Sequence, residues 1–348
     1  MTGGDRRNNR IWQIGSIGCS PLLERSLFMP LSKLGGIGRI RGVASRNVEK
    51  AVDYTLRYGI DIAYPSYEAL LADEEIDLVY IALSNELHAQ WALKAIRAGK
   101  HVLVEKPLCL TAAECAAVRQ AMREHPRVLV FEALMVEHHP WQAALAAIID
   151  SGSYGKLKSV HTQIHIVPKN NYTGNYRSER LRGGGSFYDL GCYWLQFLQA
   201  IGCGLTVEAM NAQSDFAGPD GCDWTFRAQL GFGSGVNATV TTSFELPYKS
   251  DHVLELEHAR IHVRDFFRAN VGEFPISLRI EDDVTGEKQR VPFPPQHYYT
   301  SQLHSILQVL NEERPYPPIE AVYERIQLAE QLYQLAVNKR KGEMNCQS

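Results

Sequence analysis

The sequence predicts an α/β protein in which a doubly wound parallel sheet is followed by an α+β domain with an open, mainly antiparallel sheet. Its 348 residues exceed what one hydrophobic core usually supports, which favours two domains. Between residues 11 and 131, short β-rich runs alternate with longer helical patterns, as in parallel βαβ units. After about residue 150, strand-like segments joined by Gly, Pro and Asn turns replace that alternation. We therefore predict a first domain at residues 1–135 and a second at residues 136–348.

The first domain is predicted to contain buried strands that alternate with amphipathic helices. The strands are short runs of apolar and β-branched residues: Ile11–Ile17, Ile40–Ala44, Leu78–Leu83, His101–Val104 and Val128–Phe131. The helices carry apolar residues at helical spacing: Asn47–Tyr58, Glu86–Ala98 and Thr111–Arg123. Strand and helix alternate along the domain, which is typical of a nucleotide-binding sheet.

The second domain is predicted to be built around the antiparallel sheet. Its strands are Lys156–Val167, Thr206–Ser214, Asp223–Phe232, Gly235–Leu246, His252–Leu256 and Ile261–Val263. Its helices are Ser186–Ile201, Tyr299–Asn311 and Glu320–Ala336, the last of which we expect to pack back on the first domain. Polar and apolar residues alternate from Val236 to Thr241, which indicates a sheet with one covered face.

Composition excludes several classes of protein. Hydrophobic residues make up 45% and charged residues 22%, and the net charge of -3 favours neither nucleic acid nor membrane as a partner. Met1 to Arg10 is polar, no signal-peptide core follows it, and no apolar run has the length of a membrane span. We therefore expect a cytoplasmic enzyme.

Cysteine and histidine positions give no indication of a disulfide framework or a metal. The seven cysteines are an odd number and include no Cys-x-x-Cys pair, so we predict free thiols in a reducing compartment. The histidines that come closest to a cluster are His138, His139, His161 and His165. Their spacing matches no zinc motif, and we predict no metal site.

The first strand-to-helix turn is the predicted phosphate-binding turn of a dinucleotide site. Glycine is needed there so that the backbone can approach the pyrophosphate at the start of the helix. We assign the first fingerprint glycine to Gly18, followed by Cys19 and Ser20, although a register beginning at Gly15 or Ser16 is also compatible. The motif is not a complete G-x-G-x-x-G.

The ends of the next strands supply further candidate cofactor contacts. The second strand ends in Ser45 and Arg46 without a carboxylate, and a hydroxyl with a guanidinium suits the 2′-phosphate of NADP. Alternatively, Arg46 is a solvated residue that opens a helix. Ser84 and Asn85 follow the third strand, where this type of sheet places ligand contacts. His88, on the next helix, either lines the cofactor edge or has a structural role.

Candidate catalytic residues fall in two segments, Val104–Pro107 and Gly183–Tyr193. Ketone reduction needs a proton donor and a positive charge for the developing alkoxide, which are roles that Tyr193 and Lys106 can fill. A nearby lysine would lower the pKa of a tyrosine from about 10. The alternatives are an exposed loop lysine and a buried aromatic ring.

Asp189 lies four residues before Tyr193, so the two share one helical face. We expect Ser186 to cap this helix, and Ser186 to Asp189 also fits an acidic capping box. A separate apolar stripe is predicted to face the core: Phe187, Leu190, Trp194, Phe197 and Ile201.

Taken together, these residues resemble the glucose-fructose oxidoreductase and inositol dehydrogenase family over about residues 11 to 340. The matching segments are Gly18–Ser20, Ala44–Arg46, Tyr67–Leu71, His88, Ala98–Pro107, Glu132–Pro140 and Gly183–Tyr193. Within the family, Glu132–Pro140 is more similar to bacterial sugar 3-ketoreductases and, at a greater distance, to dihydrodiol and xylose dehydrogenases.

The resemblance implies a Rossmann domain followed by a domain whose open sheet often forms a dimer interface, so we expect a homodimer or homotetramer. It implies that Lys106, in the motif with Glu105, lies at the nicotinamide, that Tyr193 donates the proton and that Asp189 orients substrate hydroxyls. Two departures are the degenerate glycine turn and Glu137, which stands where relatives often carry an uncharged or basic residue.

These observations lead to the hypothesis of an NADPH-dependent oxidoreductase, with NAD as the alternative cofactor. Its small-molecule substrate would be a keto group on a sugar, such as a nucleotide-linked keto-deoxysugar, or on another small cyclic metabolite. The polar loop Pro168–Tyr176 would cover or exclude that sugar. Alternatives are a sugar or diol dehydrogenase working oxidatively, and a glycosidase or lyase that uses bound NAD transiently. A regulatory protein without activity is disfavoured by the presence of Lys106, Asp189 and Tyr193.

Overall fold

The computed structural model describes residues 10–204, 206–270 and 272–345, so the polar segment 1–9 and Cys346 lie outside the described residues. The strands are β1 (Trp12–Ile17), β2 (Gly38–Ala44), β3 (Ile62–Tyr64), β4 (Leu78–Ile81), β5 (His101–Glu105), β6 (Val130–Ala133), β7 (Leu157–His165), β8 (Val207–Gln213), β9 (Thr225–Phe232), β10 (Asn237–Ser243), β11 (Lys249–Leu256), β12 (Ala259–Val263), β13 (Ile276–Asp282) and β14 (Lys288–Phe293). The α-helices are α1 (Met29–Lys33), α2 (Val48–Tyr58), α3 (Tyr67–Ala72), α4 (Asn85–Arg97), α5 (Ala112–Glu124), α6 (Pro140–Asp150), α7 (Ser186–Ala200), α8 (Tyr298–Leu310) and α9 (Ile319–Asn345). None of these helices combines the length and the apolar character that crossing a membrane requires.

The first six strands form one parallel sheet in the order β3-β2-β1-β4-β5-β6. Strands β1, β4 and β5 are buried along almost their whole length, as expected for a parallel sheet covered on both faces. The strand order reverses between β1 and β4, and sheets of this kind bind ligands beyond the carboxyl ends of the strands at that point. The predicted doubly wound sheet is confirmed.

Two short elements in this part of the chain, a strand and a helix, lack a clear sequence signal. Strand β3 has only three residues and pairs with the end of β2, where Gly42 lies opposite Ile62. Helix α3 begins after Ser66, whose hydroxyl accepts the N–H of Ala69 at 3.0 Å. Elements this short depend on pairing and packing with longer neighbours, so periodicity along the chain does not reveal them.

The other eight strands form a second sheet in the order β14-β13-β12-β11-β7-β10-β9-β8. Every neighbouring pair is antiparallel except β7 and β10, which run parallel. Along β7, Val160, Thr162 and Ile164 are buried, whereas His161 is exposed and Gln163 only half-buried. Helix α7 packs against β9 and β10. The open, mainly antiparallel sheet that the sequence predicts is confirmed.

The sequence-based prediction also lacks α1, β13, β14 and α6. Strand β13 does alternate, with Ile276, Leu278 and Ile280 buried, so its signal was available. Strand β14 is an edge strand whose charged residues and Pro292 suit an edge and hide the alternation. Helix α6 is rich in alanine and apolar residues on most sides, which removes the contrast that marks an amphipathic helix.

The chain divides into two compact units that a single boundary does not describe. Among the described residues, the first unit contains residues 10–109, 113–135 and 299–322, and the second contains residues 110–112, 136–298 and 323–345. Helix α8 belongs to the first unit because Leu303, Ile306 and Leu307 join the core that also contains Trp12 and Ile14.

The last helix, α9, contacts α5: Glu330 accepts the N–H of Ala112 at 2.8 Å, and Glu320 pairs with Arg119 at 3.4 Å. Its residues 319–322 belong to the first unit. From Tyr323 onward, α9 groups with the second unit. The ring of Tyr333 lies 4.7 Å from that of Tyr188 and 6.1 Å from that of Phe226, both in the second unit. Helix α8, which is expected in the second domain, belongs to the first unit from Tyr299 onward.

Candidate active site

The glycine turn after β1 packs tightly between two neighbouring strands. Gly18 has a φ of +101° and donates its N–H to the carbonyl oxygen of Ala44 at 2.9 Å. A Cβ at Gly18 would lie 2.5 Å from the carbonyl oxygen of Ala82, so a larger residue would force the turn away from β4. Gly15 instead lies within β1 and faces the side chains of Leu70 and Ile76. The geometry favours the register that starts at Gly18.

Cys19 and Ser20, the next residues of the turn, have different environments. The Cys19 thiol is buried beside the carbonyl oxygen of Ala44, and burial raises its pKa to about 11. Ser20 is half-buried, and its hydroxyl accepts the N–H of Leu22 at 3.3 Å. Cys19 is thus a packed neutral thiol, and Gly18 and Ser20 are better placed to border a phosphate.

The end of β2 carries the two predicted 2′-phosphate ligands. Ser45 is half-buried and Arg46 is exposed. The helix that follows is capped by Asn47, whose side chain accepts the N–H groups of Glu49 and Lys50 at 2.9 and 3.4 Å. Arg46 is therefore not needed to start the helix, and its guanidinium lies at the surface beyond the strand.

Beyond β4, the predicted cofactor residues begin helix α4. Ser84 precedes the helix and donates its hydroxyl to Glu86 Oε1 at 2.7 Å, while Asn85 is buried. His88 is also buried, with Nδ1 2.8 Å from the carbonyl oxygen of Pro107 and Nε2 3.1 Å from that of Leu83. Burial lowers its pKa. The position of His88 matches the structural alternative for this residue.

Glu105 and Lys106 differ sharply in exposure. The Glu105 carboxylate is buried and accepts a hydrogen bond from the hydroxyl of Tyr80, and burial raises its pKa. Burial also raises the pKa of Tyr80 well above its ordinary value. Lys106 is half-buried and precedes Pro107 through a cis peptide bond. The side chain of Glu105 is therefore inside the protein, whereas Lys106 has access to solvent.

The start of α7 in the second unit is organised by a residue that the sequence analysis did not single out. Asp223 is fully buried, and its Oδ2 accepts the N–H of Phe187 at 2.7 Å and the hydroxyl of Ser186 at 3.0 Å. The predicted cap at Ser186 is wrong, because Gly185 occupies the cap position and Ser186 is the first helical residue. A Cβ at Gly185 would overlap Asp223 Oδ1.

Asp189 is held by an arginine instead of a capping box. Arg177 donates from Nε to Asp189 Oδ2 at 2.9 Å and from Nη2 to Oδ1 at 3.0 Å, a bidentate pair. The Asp189 side chain is 6% exposed and that of Arg177 is 25% exposed. Arg177 also lies against the rings of Tyr172 and Tyr176, at 5.3 and 4.8 Å.

Arg177 has no sequence signal of its own, because it follows the polar loop and the pairing joins residues twelve positions apart. Its guanidinium neutralises the charge of Asp189 and ties the end of the loop to α7. Each carboxylate oxygen of Asp189 accepts one hydrogen bond from Arg177. The carboxylate of Asp189 is therefore buried together with its counter-charge and not as an unpaired charge.

Tyr193 lies one turn after Asp189 on α7 and is buried. Its ring makes an edge contact with Phe267 at 4.9 Å. The apolar stripe is confirmed, since all of its members are buried: Phe187, Leu190, Trp194, Phe197 and Ile201. Asp189 and Tyr193 are buried as well, so α7 is enclosed on most of its sides.

The clustered histidines have structural contacts. His139 Nδ1 accepts the N–H of Trp141 at the start of α6, and burial lowers its pKa to about 4. His165 Nδ1 lies 3.1 Å from the carbonyl oxygen of Pro247, and His161 Nδ1 lies 2.9 Å from the hydroxyl of Thr239. Within the described ranges, no three His, Cys, Asp or Glu side chains are grouped as a metal site requires.

Comparison with known proteins identifies both domains. Residues 13–133 match an oxidoreductase family with an NAD-binding Rossmann fold, and residues 143–263 match the Gfo/Idh/MocA C-terminal domain. A dTDP-3,4-didehydro-2,6-dideoxy-alpha-D-glucose 3-reductase from Streptomyces violaceoruber is 31% identical over 294 residues, covering 84% of each chain. A D-xylose 1-dehydrogenase (NADP(+)) from Haloferax volcanii is 33% identical over 66% of this chain and 69% of its own.

Among solved structures, a 3-ketoreductase from Actinomadura kijaniata in complex with NADP and TDP-benzene is similar over 94% of this chain and 98% of its own. The TM-score is 0.84 and the sequence identity is 25%. The similarity thus extends over both domains in sequence and in fold. The chain belongs to the Gfo/Idh/MocA family of NAD(P)-dependent oxidoreductases.

Proposed function

We propose that this enzyme uses NADPH to reduce a keto group on a sugar, with a nucleotide-linked keto-deoxysugar as the first candidate. The observation that carries the proposal is the 31% identity to a dTDP-keto-sugar 3-reductase over 84% of both chains. The similar solved 3-ketoreductase supports it, because that protein holds NADP and a TDP derivative. Another small cyclic ketone remains the alternative substrate class.

The first unit fits a dinucleotide of the NADP type. The close turn at Gly18 lets the backbone approach a pyrophosphate, while Ser20, Ser84 and Asn85 supply polar groups at the strand ends. Ser45 and Arg46 follow β2 with no carboxylate to repel a 2′-phosphate. When bound, the nicotinamide supplies the hydride for the carbonyl carbon.

The roles of the protein groups follow from their chemistry. The Tyr193 phenol donates its proton to the substrate oxygen as that oxygen gains charge, and its conjugate base then recovers a proton from water. Asp189, paired with Arg177, accepts hydrogen bonds from substrate hydroxyls and so orients the sugar. With the cofactor bound, Lys106 would lie near the nicotinamide, where its positive charge would stabilise the developing alkoxide.

A second candidate function is the oxidative direction, which the similarity to D-xylose 1-dehydrogenase (NADP(+)) favours. The same residues would then act in reverse, with the tyrosine accepting the hydroxyl proton. A glycosidase or lyase that uses bound NAD transiently is a third class, and it would show no net change in nicotinamide absorbance.

The experiment that tests the proposal is titration of the purified protein with NADPH and with NADH, followed by nicotinamide fluorescence. A panel of keto sugars and cyclic ketones is then added with NADPH, and aldoses and diols with NADP. Consumption of NADPH on a keto sugar supports the reductase, and NADP reduction by an aldose alone would replace it with the dehydrogenase. Cofactor binding without net turnover would shift the assignment to transient redox chemistry.

We also infer a homo-oligomer that associates through the open face of the second sheet. Gln163, Thr239 and Thr241 on this face are only half-buried, whereas their neighbours on the other face are buried.

The six described cysteines are free thiols, which supports a reducing, cytoplasmic setting.

A further inference from the structure

The peptide group between Pro107 and Leu108, directly after Lys106, is held at both of its polar ends. Its carbonyl oxygen lies 2.8 Å from His88 Nδ1, and its N–H donates to Glu132 Oε1 at 2.8 Å. Because the atoms of a peptide group lie in one plane, these two contacts together fix the orientation of that plane. The side chain of Leu108, which follows this peptide group, is buried.

The two side chains connect this peptide to the neighbouring strands. His88 Nε2 lies 3.1 Å from the carbonyl oxygen of Leu83, directly beyond β4. Glu132 belongs to β6 and lies opposite Val104 of β5 in the parallel register. Glu132 thus ties the peptide plane to β6, and the ring of His88 lies between the carbonyl oxygens of Pro107 and Leu83; all of these residues belong to the first unit.

Fixing this plane restricts Lys106. Two backbone torsions, φ and ψ of Pro107, separate the fixed peptide plane from the carbonyl group of Lys106. The proline ring holds φ near −65°, so only ψ can rotate. His88 and Glu132 therefore constrain the backbone at Lys106 without contacting its side chain in these two bonds. Lys106 is half-buried, and the constrained backbone limits where its side chain begins.

We propose that His88 and Glu132 are positioning residues for Lys106, holding it in the orientation in which it meets the nicotinamide. The proposal rests on the role of Lys106 given under the proposed function. It assigns a function to Glu132, and it assigns His88 to support of the lysine instead of contact with the cofactor.

The first test follows the Lys106 amine directly and needs no substrate. The rate of Lys106 acetylation by acetic anhydride is measured by peptide mass spectrometry, with and without saturating NADPH, relative to exposed Lys33. We expect NADPH to protect Lys106 in the native chain, and the protection to fall about tenfold or more in Glu132→Ala and His88→Asn, because a displacement of about 1 Å disrupts such alignment. Unchanged protection in both variants would overturn the proposal.

Two further variants separate a positioning role from a general loss of stability. Glu132→Gln keeps an acceptor oxygen for the Leu108 N–H, and we expect it to recover protection to within about fivefold of native. Glu330→Ala is the matched control, since Glu330 also accepts a backbone N–H at 2.8 Å, from Ala112, and is also half-buried. Equal losses in Glu330→Ala and Glu132→Ala would count against the proposal.

Turnover then distinguishes this proposal from the proposed function. We expect Glu132→Ala to lower kcat by about 10²-fold, and to have no further effect in a chain that already carries Lys106→Ala. Additive losses would mean that Glu132 acts elsewhere. If Lys106→Ala leaves kcat unchanged while Glu132→Ala still alters Lys106 acetylation, the role of Lys106 fails and the positioning of its backbone stands.

Discussion

At the scale of single residues, function depends on which polar groups are exposed and which are paired. Lys106 and Arg46 retain access to solvent, while Glu105 is buried against Tyr80. Sequence motifs name residue types, but they do not distinguish a carboxylate that faces a ligand from one that supports the backbone. The distinction follows from burial, and it changes the expected result of each substitution.

The role of Tyr193 as proton donor predicts a large and selective loss. Tyr193→Phe should lower kcat by about 10²-fold or more, since general acid catalysis typically contributes about 10²–10⁴-fold. Binding of NADPH, followed by fluorescence, should be unaffected. Tyr188→Phe, on the same helix and with its ring against that of Tyr333, is the control and should keep most activity. Full activity of Tyr193→Phe would remove the phenol from the mechanism.

The role of Arg46 predicts a change in cofactor preference. Arg46→Ala should raise the Kd for NADPH by about 10- to 100-fold, the value of hydrogen bonds to a charged group, while the Kd for NADH stays nearly constant. Fluorescence titration with both cofactors measures this ratio. Arg57→Ala, another exposed arginine, which pairs with Asp53, should change neither affinity. Equal weakening for both cofactors would contradict a phosphate contact.

The bidentate pair of Arg177 with Asp189 predicts a stability effect. Arg177→Ala leaves a buried carboxylate without its cation and should lower the free energy of unfolding by about 1–3 kcal/mol. Arg177→Lys should recover only part of this free energy of unfolding, because an ammonium group does not reproduce the two parallel hydrogen bonds. Urea unfolding measures both variants. Arg182→Ala, which breaks a more exposed pair with Glu179, should cost less than about 1 kcal/mol.

At the scale of elements, α7 shows how one helix is positioned by a distant strand. Its first turn is held by Asp223, which lies just before β9, and close contact with that carboxylate requires glycine at position 185. Capping from another part of the chain cannot be inferred from the local sequence, where Ser186 fits the usual signal. The amphipathic stripe, in contrast, is a property of the helix alone and is predicted well.

The burial of Asp223 predicts a dependence of stability on pH. Burial raises its pKa in the folded chain to about 7, from 3.8, so between these values the folded state binds more protons than the unfolded state. The free energy of unfolding should therefore fall as pH rises through this window, by up to about 1.4 kcal/mol per pH unit. Urea unfolding from pH 4 to 8 measures the slope.

Asp223→Asn provides the comparison, because the amide oxygen still accepts the N–H of Phe187 but cannot ionise. The variant should lose this component of the pH dependence, so its stability relative to native should improve as pH rises. A native slope that survives in Asp223→Asn would assign the titration to another group.

At the scale of the whole molecule, the two sheets have different exposures, and the second has one open face. If that face joins subunits, light scattering should give a mass of two or four chains. Thr241→Arg, on the half-buried open face, should shift the protein toward the single-chain mass because it places a charge in the contact. Ser32→Arg, on an exposed turn of α1, should not. A native protein with the mass of one chain would contradict the interface.

The sequence by itself determined the alternation of strands and helices, the two kinds of sheet, the family and the candidate residues of both units. These features follow from periodicity and from short motifs, which are local in the chain. The tertiary structure decided which residues pair at long range: Arg177 with Asp189, Asp223 with the start of α7, Glu132 with the turn after Lys106, and α8 with the first core. Such contacts join residues that are far apart in sequence, and only the packing of the folded chain brings them together.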